Sequence, residues 1–466
     1  MENSSQDSPL AVTRNPATGE AIASQRFLTP EEVSQALAEN AAAFHRWRTT
    51  PMETRAAVYH RLAAELRGRS EALAVLITTE MGKPLAAARA EVEKCAATVE
   101  WMAQNGPSIL ADEPVPIDAH NSAHVSYLPL GAILGVMPWN FPLWQVIRAS
   151  APIMLSGNAF VLKHAPNVLG SAHALVELHE AAGFPRGLFI HINVDNDTVA
   201  RLIEGPHIAA VTLTGSQRAG SAVAAIAGKA LKKSLLELGG SDPFIVLSDA
   251  DIDRAVAAGI EARFQNAGQV CLAAKRFILE RPIAQEFTTK FVDAARQLSV
   301  GDPLQAGTAI GPVARSDLRE ELHRQVLRSI AAGARLLLGG NIIEGPGNFY
   351  QPTVLADVGP GMAAFDEETF GPVAAMTVAD DLDHAIQLAN TSDYGLSANL
   401  WTRDTARALR LGRRLETGGL FINSFSASNV RIPVGGVKNS GYGRELSHFG
   451  LREYTNAQTV WLRTAA

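Results

Sequence analysis

The sequence predicts an α/β protein built on parallel sheets, and three observations carry that reading. From Asn158 onward short apolar runs alternate with helical patterns: NAFVL, SAHALVELHEAAG, LFIHI and IAAVTL succeed one another before the turn TGS and an Ala-rich helix. Strands that alternate with helices at this spacing need right-handed crossovers, which set the strands parallel in one sheet. A second alternating region opens at DPFIVLSDADIDRAV and includes the long helical pattern IAQEFTTKFVDAARQL. Finally, 466 residues with 47% hydrophobic content can bury large cores but exceed one compact domain, so two or three domains are expected.

Taken in chain order, the opening MENSSQDSPLAVTRNP has neither a basic n-region nor an apolar h-region. No later apolar run approaches the roughly 20 residues of a membrane span. A soluble, unexported, cytoplasmic protein with no membrane contact is expected. Thr29-Pro30-Glu31-Glu32 reads as a helix start, with Thr29 as cap, Pro30 in the first position and Glu32 closing a capping box. Val33, Leu37 and Phe44 then mark the inner face. The strand NAFVL leads to Lys163 and the strand IAAVTL to Thr214-Gly215-Ser216; ligands gather at such strand ends in parallel sheets. The second of these turns opens a helix whose free N–H groups can hold an anion such as a pyrophosphate, although no GxGxxG follows any strand. Glycines and prolines punctuate the later chain through GGNIIEGPGNFYQP and FGPV.

A net charge of -6 leaves no broad basic face for nucleic acid, so a small-molecule partner is expected. Two cysteines form no disulfide framework, and neither has Cys or His neighbours at zinc-finger spacing; no metal is expected. Around Cys95 the residues Val92, Ala96, Val99, Met102 and Ala103 fall at helical spacing, which puts that thiol on a buried stripe. Around Cys271, in FQNAGQVCLAAKR, no stripe exists. A Gly-Gln-Val turn precedes the thiol and two cations follow it, so Cys271 is the candidate nucleophile and buried packing the alternative.

Five segments together resemble the aldehyde dehydrogenase superfamily: MPWNFP at 137–142, TLTGS at 212–216, LELGG at 236–240, QNAGQVC at 265–271 and EETFGPV at 367–373. Order and spacing match, and weaker similarity runs from NPATGE at 15–20 to TVW at 459–461. The resemblance implies a parallel-sheet cofactor-binding domain over 1–110 and 130–239 and a second α/β catalytic domain over 240–440. A small β oligomerisation element over 111–129 and 441–466 would join a homodimer or homotetramer. It implies that Cys271 attacks an aldehyde carbonyl as thiolate, the nucleophilic form. Glu237 would be the base for the thiol or for a later hydrolytic water. The Asn140 amide, with the Cys271 N–H, would stabilise the developing oxyanion. With NAD+ or NADP+ as cofactor, Lys163 would meet the adenosine ribose, Gly215 and Ser216 the pyrophosphate, and Glu368 the nicotinamide ribose. Phe370 would lie against the nicotinamide, and Trp139 is among the implied cofactor contacts.

One departure bears on the cofactor. NAD-preferring members commonly carry Glu three positions after the strand-end Lys, where it repels a 2′-phosphate; this chain has Pro166, so NAD and NADP both stay open. For the substrate, the chain resembles bacterial succinate-semialdehyde dehydrogenases in KHAPN, LELGGSDPFIVL and GRELSHFG. That resemblance implies a distal carboxylate held by Arg148, eight residues beyond Asn140, where an Arg paired with a structural acid is the alternative. Gln265 stands where related enzymes bring a second Arg. Ser428 is a further donor, and Arg431 in the same loop a substitute cation. Uncharged aromatic or medium-chain aldehydes, in a pocket lined by Trp144, form the rival reading. Acylation of coenzyme A is disfavoured by Glu237, which that group generally lacks, and a non-catalytic protein by the presence of both Cys271 and Glu237.

Overall fold

The computed structural model describes residues 10–463; the first residues, on which the reading of an unexported chain rests, lie outside that stretch. The first helix, Pro30–Trp47, starts as its sequence predicts. The Thr29 hydroxyl accepts the Glu32 N–H at 3.3 Å, and the Glu32 carboxylate accepts the Thr29 N–H at 2.8 Å. Among the described residues no helix is long and apolar enough to cross a membrane.

Two sheets organise the molecule. The first has six strands in the order Gly441–Tyr442, Lys233–Glu237, Ile208–Thr214, Ala132–Val136, Ala159–Lys163 and Phe189–His191. Its last five are parallel, and Gly441–Tyr442 closes the edge antiparallel to Lys233–Glu237. The strand order reverses on either side of Ala132–Val136, which opens a crevice at the carboxyl end of that strand. The MPWNFP segment leaves this strand and the TGS turn leaves its neighbour, so both arrive at the crevice. Lys163 ends its strand as the sequence predicts, paired with Val136. Asn158 stays outside because its amide holds the Leu130 and Gly131 N–H groups and the Tyr454 carbonyl.

The second sheet has seven strands: Arg335–Leu338, Thr353–Ala356, Val373–Ala379, Ala274–Glu280, Asp242–Val246, Ser397–Trp401 and Gly419–Ile422. All pairings but the first are parallel. Its inner strand Asp242–Val246 is wholly buried, with Phe244 and Val246 in one core and Ile245 with Leu247 in the other. Burial on both faces is why DPFIVL reads as a continuous apolar run. The LELGG segment passes directly from the first sheet to the second. Glu237 therefore ends one sheet close to where the thiol loop enters the other.

A three-stranded antiparallel sheet, Thr455–Arg463, Asn121–Pro129 and Glu113–Asp118, stands apart with exposed strands. The segment 441–454, grouped by sequence with this sheet, goes elsewhere. Gly441–Tyr442 extends the six-stranded sheet, and Leu446, Leu451 and Tyr454 enter that sheet's core. Only the strand that follows reaches the three-stranded sheet.

Candidate active site

The thiol loop follows the helix Ile252–Phe264 and turns through three successive left-handed residues, Asn266, Ala267 and Gly268 (φ 52°, 53° and 74°). Only glycine fits the third position, where a Cβ would meet the Gly371 carbonyl at 2.2 Å. Such strain persists where the surroundings hold it, and here three side chains do. Buried Arg263 donates to the Gly268 and Gly371 carbonyls at 2.7 and 2.8 Å. Gln269 bonds the Asn266 carbonyl and the Ala314 N–H. Lys275 donates to the Val270 and Cys271 carbonyls at 3.1 and 2.7 Å and pairs with Glu368 at 3.3 Å. The result presents a half-buried Cys271 on the wall of a cavity of about 220 Å³.

Asn140 reaches the same cavity from the first sheet. Its Nδ2 donates to the Gln269 carbonyl at 3.1 Å, and Asn266 Nδ2 donates back to the Asn140 carbonyl at 2.9 Å. These two amides tie the MPWNFP loop to the thiol loop. Among the described residues the second Asn140 N–H has no acceptor and the Cys271 N–H donates to no backbone acceptor, an arrangement that could serve an oxyanion. Two buried groups fix the loop from behind. The Glu91 carboxylate accepts the Leu143 and Trp144 N–H groups, both at 3.0 Å, at the start of the helix Trp144–Leu155, while pairing with Lys83. The His164 imidazole meets the Pro142 carbonyl at 2.9 Å and accepts the Ala165 N–H at 3.0 Å. Burial pushes its pKa down to about 4, which keeps it neutral.

Glu237 is buried, with Oε1 unpartnered among the described residues. Burial pushes its carboxyl up to about 8, a rise that Arg148 opposes and Glu445 reinforces. Burial likewise pushes the Cys271 thiol up to about 11, while Arg148 and Lys275 pull it down. A protonated resting thiol therefore lies near a carboxyl that ionises in the neutral-to-alkaline range, which suits a general base.

The structure pairs Arg148 with a buried acid, the alternative the sequence left open. Its guanidinium is buried, ion-paired with Glu445, and 3.4 Å from the Thr214 hydroxyl, and it is absent from the wall around Cys271. That acid lies at the far end of the chain and comes back through the edge strand Gly441–Tyr442. Gln265 also lies off that wall, half-buried at the C-terminal cap of its helix. Ser428 accepts a 2.7 Å hydrogen bond from Lys94, a residue for which sequence reasoning had no role. The structure also adds Gln145 and Leu318 to the wall.

The other implied residues gather on one side of the cavity: Trp139, Gly215, Ser216, Glu368 and Phe370 all line it. Ser216 caps the helix Gln217–Lys229, and a Cβ on Gly215 would meet nothing nearer than Leu213 at 3.6 Å, so the turn is open to a ligand. Trp139 and Phe370 meet edge to face at 5.8 Å. Glu368 bonds the Gly240 N–H at 3.1 Å and rests where a Cβ on Gly239 would be, at 2.1 Å, so LELGG needs its glycines here. Lys163 lies at the same sheet end, outside the wall; burial depresses its pKa, and among the described residues no acid lies within ion-pair distance to offset this. A helix N-terminus, an unpaired strand-end cation and an aromatic wall fit a dinucleotide.

A family model described as the aldehyde dehydrogenase family matches residues 3–460. The succinate semialdehyde dehydrogenase [NAD(P)+] of Escherichia coli strain K12 is 53% identical over 451 residues, covering 97% of each chain. The succinate-semialdehyde dehydrogenase [NADP(+)] of Mycobacterium avium strain 104 is 46% identical over 457 residues, again covering 97% of both. The crystal structure of the Streptococcus pyogenes succinic semialdehyde dehydrogenase in complex with NADP+ superposes with a TM-score of 0.95 at 34% identity, covering 97% of this chain and 100% of that one. With a braced thiol and an open helix N-terminus around one cavity, the buried Glu237 carboxyl acting on that thiol from outside the wall, and relatives along its whole length, the chain belongs to the aldehyde dehydrogenase family.

Proposed function

We propose that this enzyme oxidises succinate semialdehyde to succinate with NAD+ or NADP+, through a thioester on Cys271. The observation that carries the chemistry is the grouping of Cys271, Asn140 and the pyrophosphate-type turn Gly215-Ser216 on one cavity wall, within the electrostatic reach of Glu237. Cys271 adds to the aldehyde carbon as its proton leaves, and the Asn140 and Cys271 N–H groups hold the oxygen that becomes negative. Lys163, Ser216, Glu368, Phe370 and Trp139 would hold the cofactor. The cofactor, when bound, would supply the acceptor for the hydride lost by the former aldehyde carbon. Glu237 then removes a proton from water as it attacks the thioester, releasing the carboxylate and the thiol.

The choice of succinate semialdehyde is supported by the names of the relatives. Access to both cofactors is supported by exposed Pro166, which brings no carboxylate against a 2′-phosphate. A homodimer or homotetramer is supported by the exposed three-stranded sheet, where Trp461 and Leu462 are 56% and 60% accessible. A catalytic thiol without a disulfide partner suits a reducing cytoplasm. Initial rates of NAD(P)H formation from succinate semialdehyde and from butyraldehyde, with and without coenzyme A, test the reading. Preference for the semialdehyde, unaffected by coenzyme A, is expected. Preference for butyraldehyde would move the substrate to uncharged aldehydes, and dependence on coenzyme A would replace hydrolysis by acyl transfer.

A further inference from the structure

Asn140 follows a strand of the first sheet and Cys271 precedes a strand of the second, so their alignment needs contacts that span both. The turn at 82–85, between the helices Ser70–Met81 and Leu85–Ile109, supplies them. We propose that the buried ion pair of Lys83 with Glu91 is a positioning device that aims the Asn140 amide at the reacting oxygen beside Cys271; this rests on the reading of Asn140 as an oxyanion donor.

The first argument is how completely the Asn140 loop is held. Lys83 Nζ stands 3.6 Å from the centre of the Phe141 ring, on the residue directly after Asn140. The Pro142 carbonyl meets His164 at 2.9 Å. Glu91 Oε1 accepts the Leu143 and Trp144 N–H groups, both at 3.0 Å, and Oε2 is left for Lys83. Every residue from Phe141 to Trp144 thus has a buried partner, and the ion pair serves three of the four. Lys83 and Glu91 are 1% and 4% exposed, a burial at which desolvation offsets most of the attraction between them. What the pair supplies is direction rather than stability.

The second argument is that the contacts close a circuit. Gly82 is left-handed (φ 82°) and pressed against the segment 303–314, which lies beyond the thiol loop in the chain. A Cβ on Gly82 would meet Pro312 Cγ at 2.7 Å, and one on Gly311 would meet the Gly82 carbonyl at 2.0 Å. The Leu85 N–H donates to the Pro303 carbonyl at 2.9 Å. Two residues past Pro312, the Ala314 N–H donates to Gln269 Oε1 at 2.9 Å, and the Gln269 carbonyl accepts the Asn140 amide at 3.1 Å. One branch therefore runs from Lys83 through Phe141 to Asn140. The other runs from Gly82 through Pro312 and Ala314 to the thiol loop, and the Asn140 amide joins the two. In so closely packed a ring neither loop shifts without the other.

The test measures kcat, KM and thermal melts with succinate semialdehyde and saturating cofactor. Lys83→Met/Glu91→Leu replaces the pair by apolar side chains of similar volume, which buried pairs tolerate in stability, but removes the acceptor for two N–H groups and the cation on Phe141. It is expected to lower kcat roughly 10- to 100-fold, the cost of misplacing a group by about 1 Å, with KM within a few-fold. Asn140→Ala should lower kcat on the order of 10²- to 10³-fold. Added to Asn140→Ala, the pair replacement should cost less than about threefold more, because no donor is left to aim. A loss that multiplies in full on Asn140→Ala, or wild-type kcat in the pair replacement beside an impaired Asn140→Ala, would overturn the assignment and leave the oxyanion reading intact. Wild-type kcat in Asn140→Ala would overturn both. Should the pair replacement fail to fold, Glu91→Gln decides. Its amide oxygen still accepts both N–H groups while its NH2 faces the ammonium, so kcat should fall by about tenfold or less, and the fall should again vanish on Asn140→Ala. An unchanged kcat in Glu91→Gln would contradict the role of the pair.

Discussion

Cys95 and Cys271 show how little burial alone says about a thiol. Burial raises the pKa of both, yet one is packing and the other is placed to react. Cys95 lies on the inner stripe of the helix Leu85–Ile109, fully enclosed, among Val92, Ala96 and Val99. Cys271 ends a strained turn braced by Arg263, Gln269 and Lys275, beside a cavity and within the field of an underpaired carboxyl. The difference lies in rigid positioning, an adjacent base and space for a substrate, all of which come from residues distant in sequence.

The comparison breaks most visibly by exchanging each thiol. Cys271→Ser should lower kcat/KM on the order of 10⁴-fold or more, as loss of a nucleophile does elsewhere. Cys95→Ser should leave kcat/KM within a few-fold of wild type while lowering Tm, because it places a hydroxyl in an apolar stripe. Steady-state rates and thermal melts check both, and inactivation by the Cys95 exchange at unchanged folding would reverse the assignment.

Next in size is the base. Glu237→Gln should reduce steady turnover by roughly 10²- to 10⁴-fold, the usual range for a general base, and leave a burst of NAD(P)H. Since burial raises the carboxyl pKa to about 8, the base is protonated below that pH and ionised above it. Wild-type turnover limited by hydrolysis should therefore rise as pH increases through about 8, and Glu237→Gln should lose that rise. A pH profile of kcat for the two proteins reads this directly.

Arg148→Met addresses the ion pair behind the site. Removing one partner of a buried pair costs about 3–5 kcal/mol, because Glu445 is left charged and unpaired. A lower Tm and parallel losses in kcat/KM on succinate semialdehyde and butyraldehyde are expected. A loss confined to the semialdehyde would return Arg148 to substrate binding. The smallest effect should come from Pro166→Glu, which sets a carboxylate where a 2′-phosphate would lie. A like charge at an exposed site is worth about 1–2 kcal/mol, so the NAD over NADP ratio of kcat/KM should shift toward NAD by roughly tenfold.

What was legible in the sequence was local. The Thr29–Glu32 capping box, the strand-end Lys163 and the motif residues that line the cavity each announce themselves within a few positions. What was not legible depended on tertiary contact. Glu445 reaches Arg148 only because a two-residue strand closes the sheet edge, and nothing beside Arg148 signals it. Lys83 and Glu91 drew no notice in the sequence, yet they are buried and paired, and Glu91 holds the helix after the Asn140 loop. Lys94 follows the exposed Glu93 and looks like surface charge until Trp144 and Ser428 are folded against it. Lys275 offered a weak signal, a cation four residues after the thiol, whose role as a brace on the Cys271 carbonyl needed the turn to be seen.

The central claim is that Cys271 carries the acyl group and Glu237 releases it. Mass mapping of acid-quenched Glu237→Gln, mixed with succinate semialdehyde and cofactor, tests it most directly. The account predicts a succinyl adduct on the peptide containing Cys271, formed in proportion to the burst of NAD(P)H. NAD(P)H formed without that adduct, or an adduct on Cys95, would contradict it.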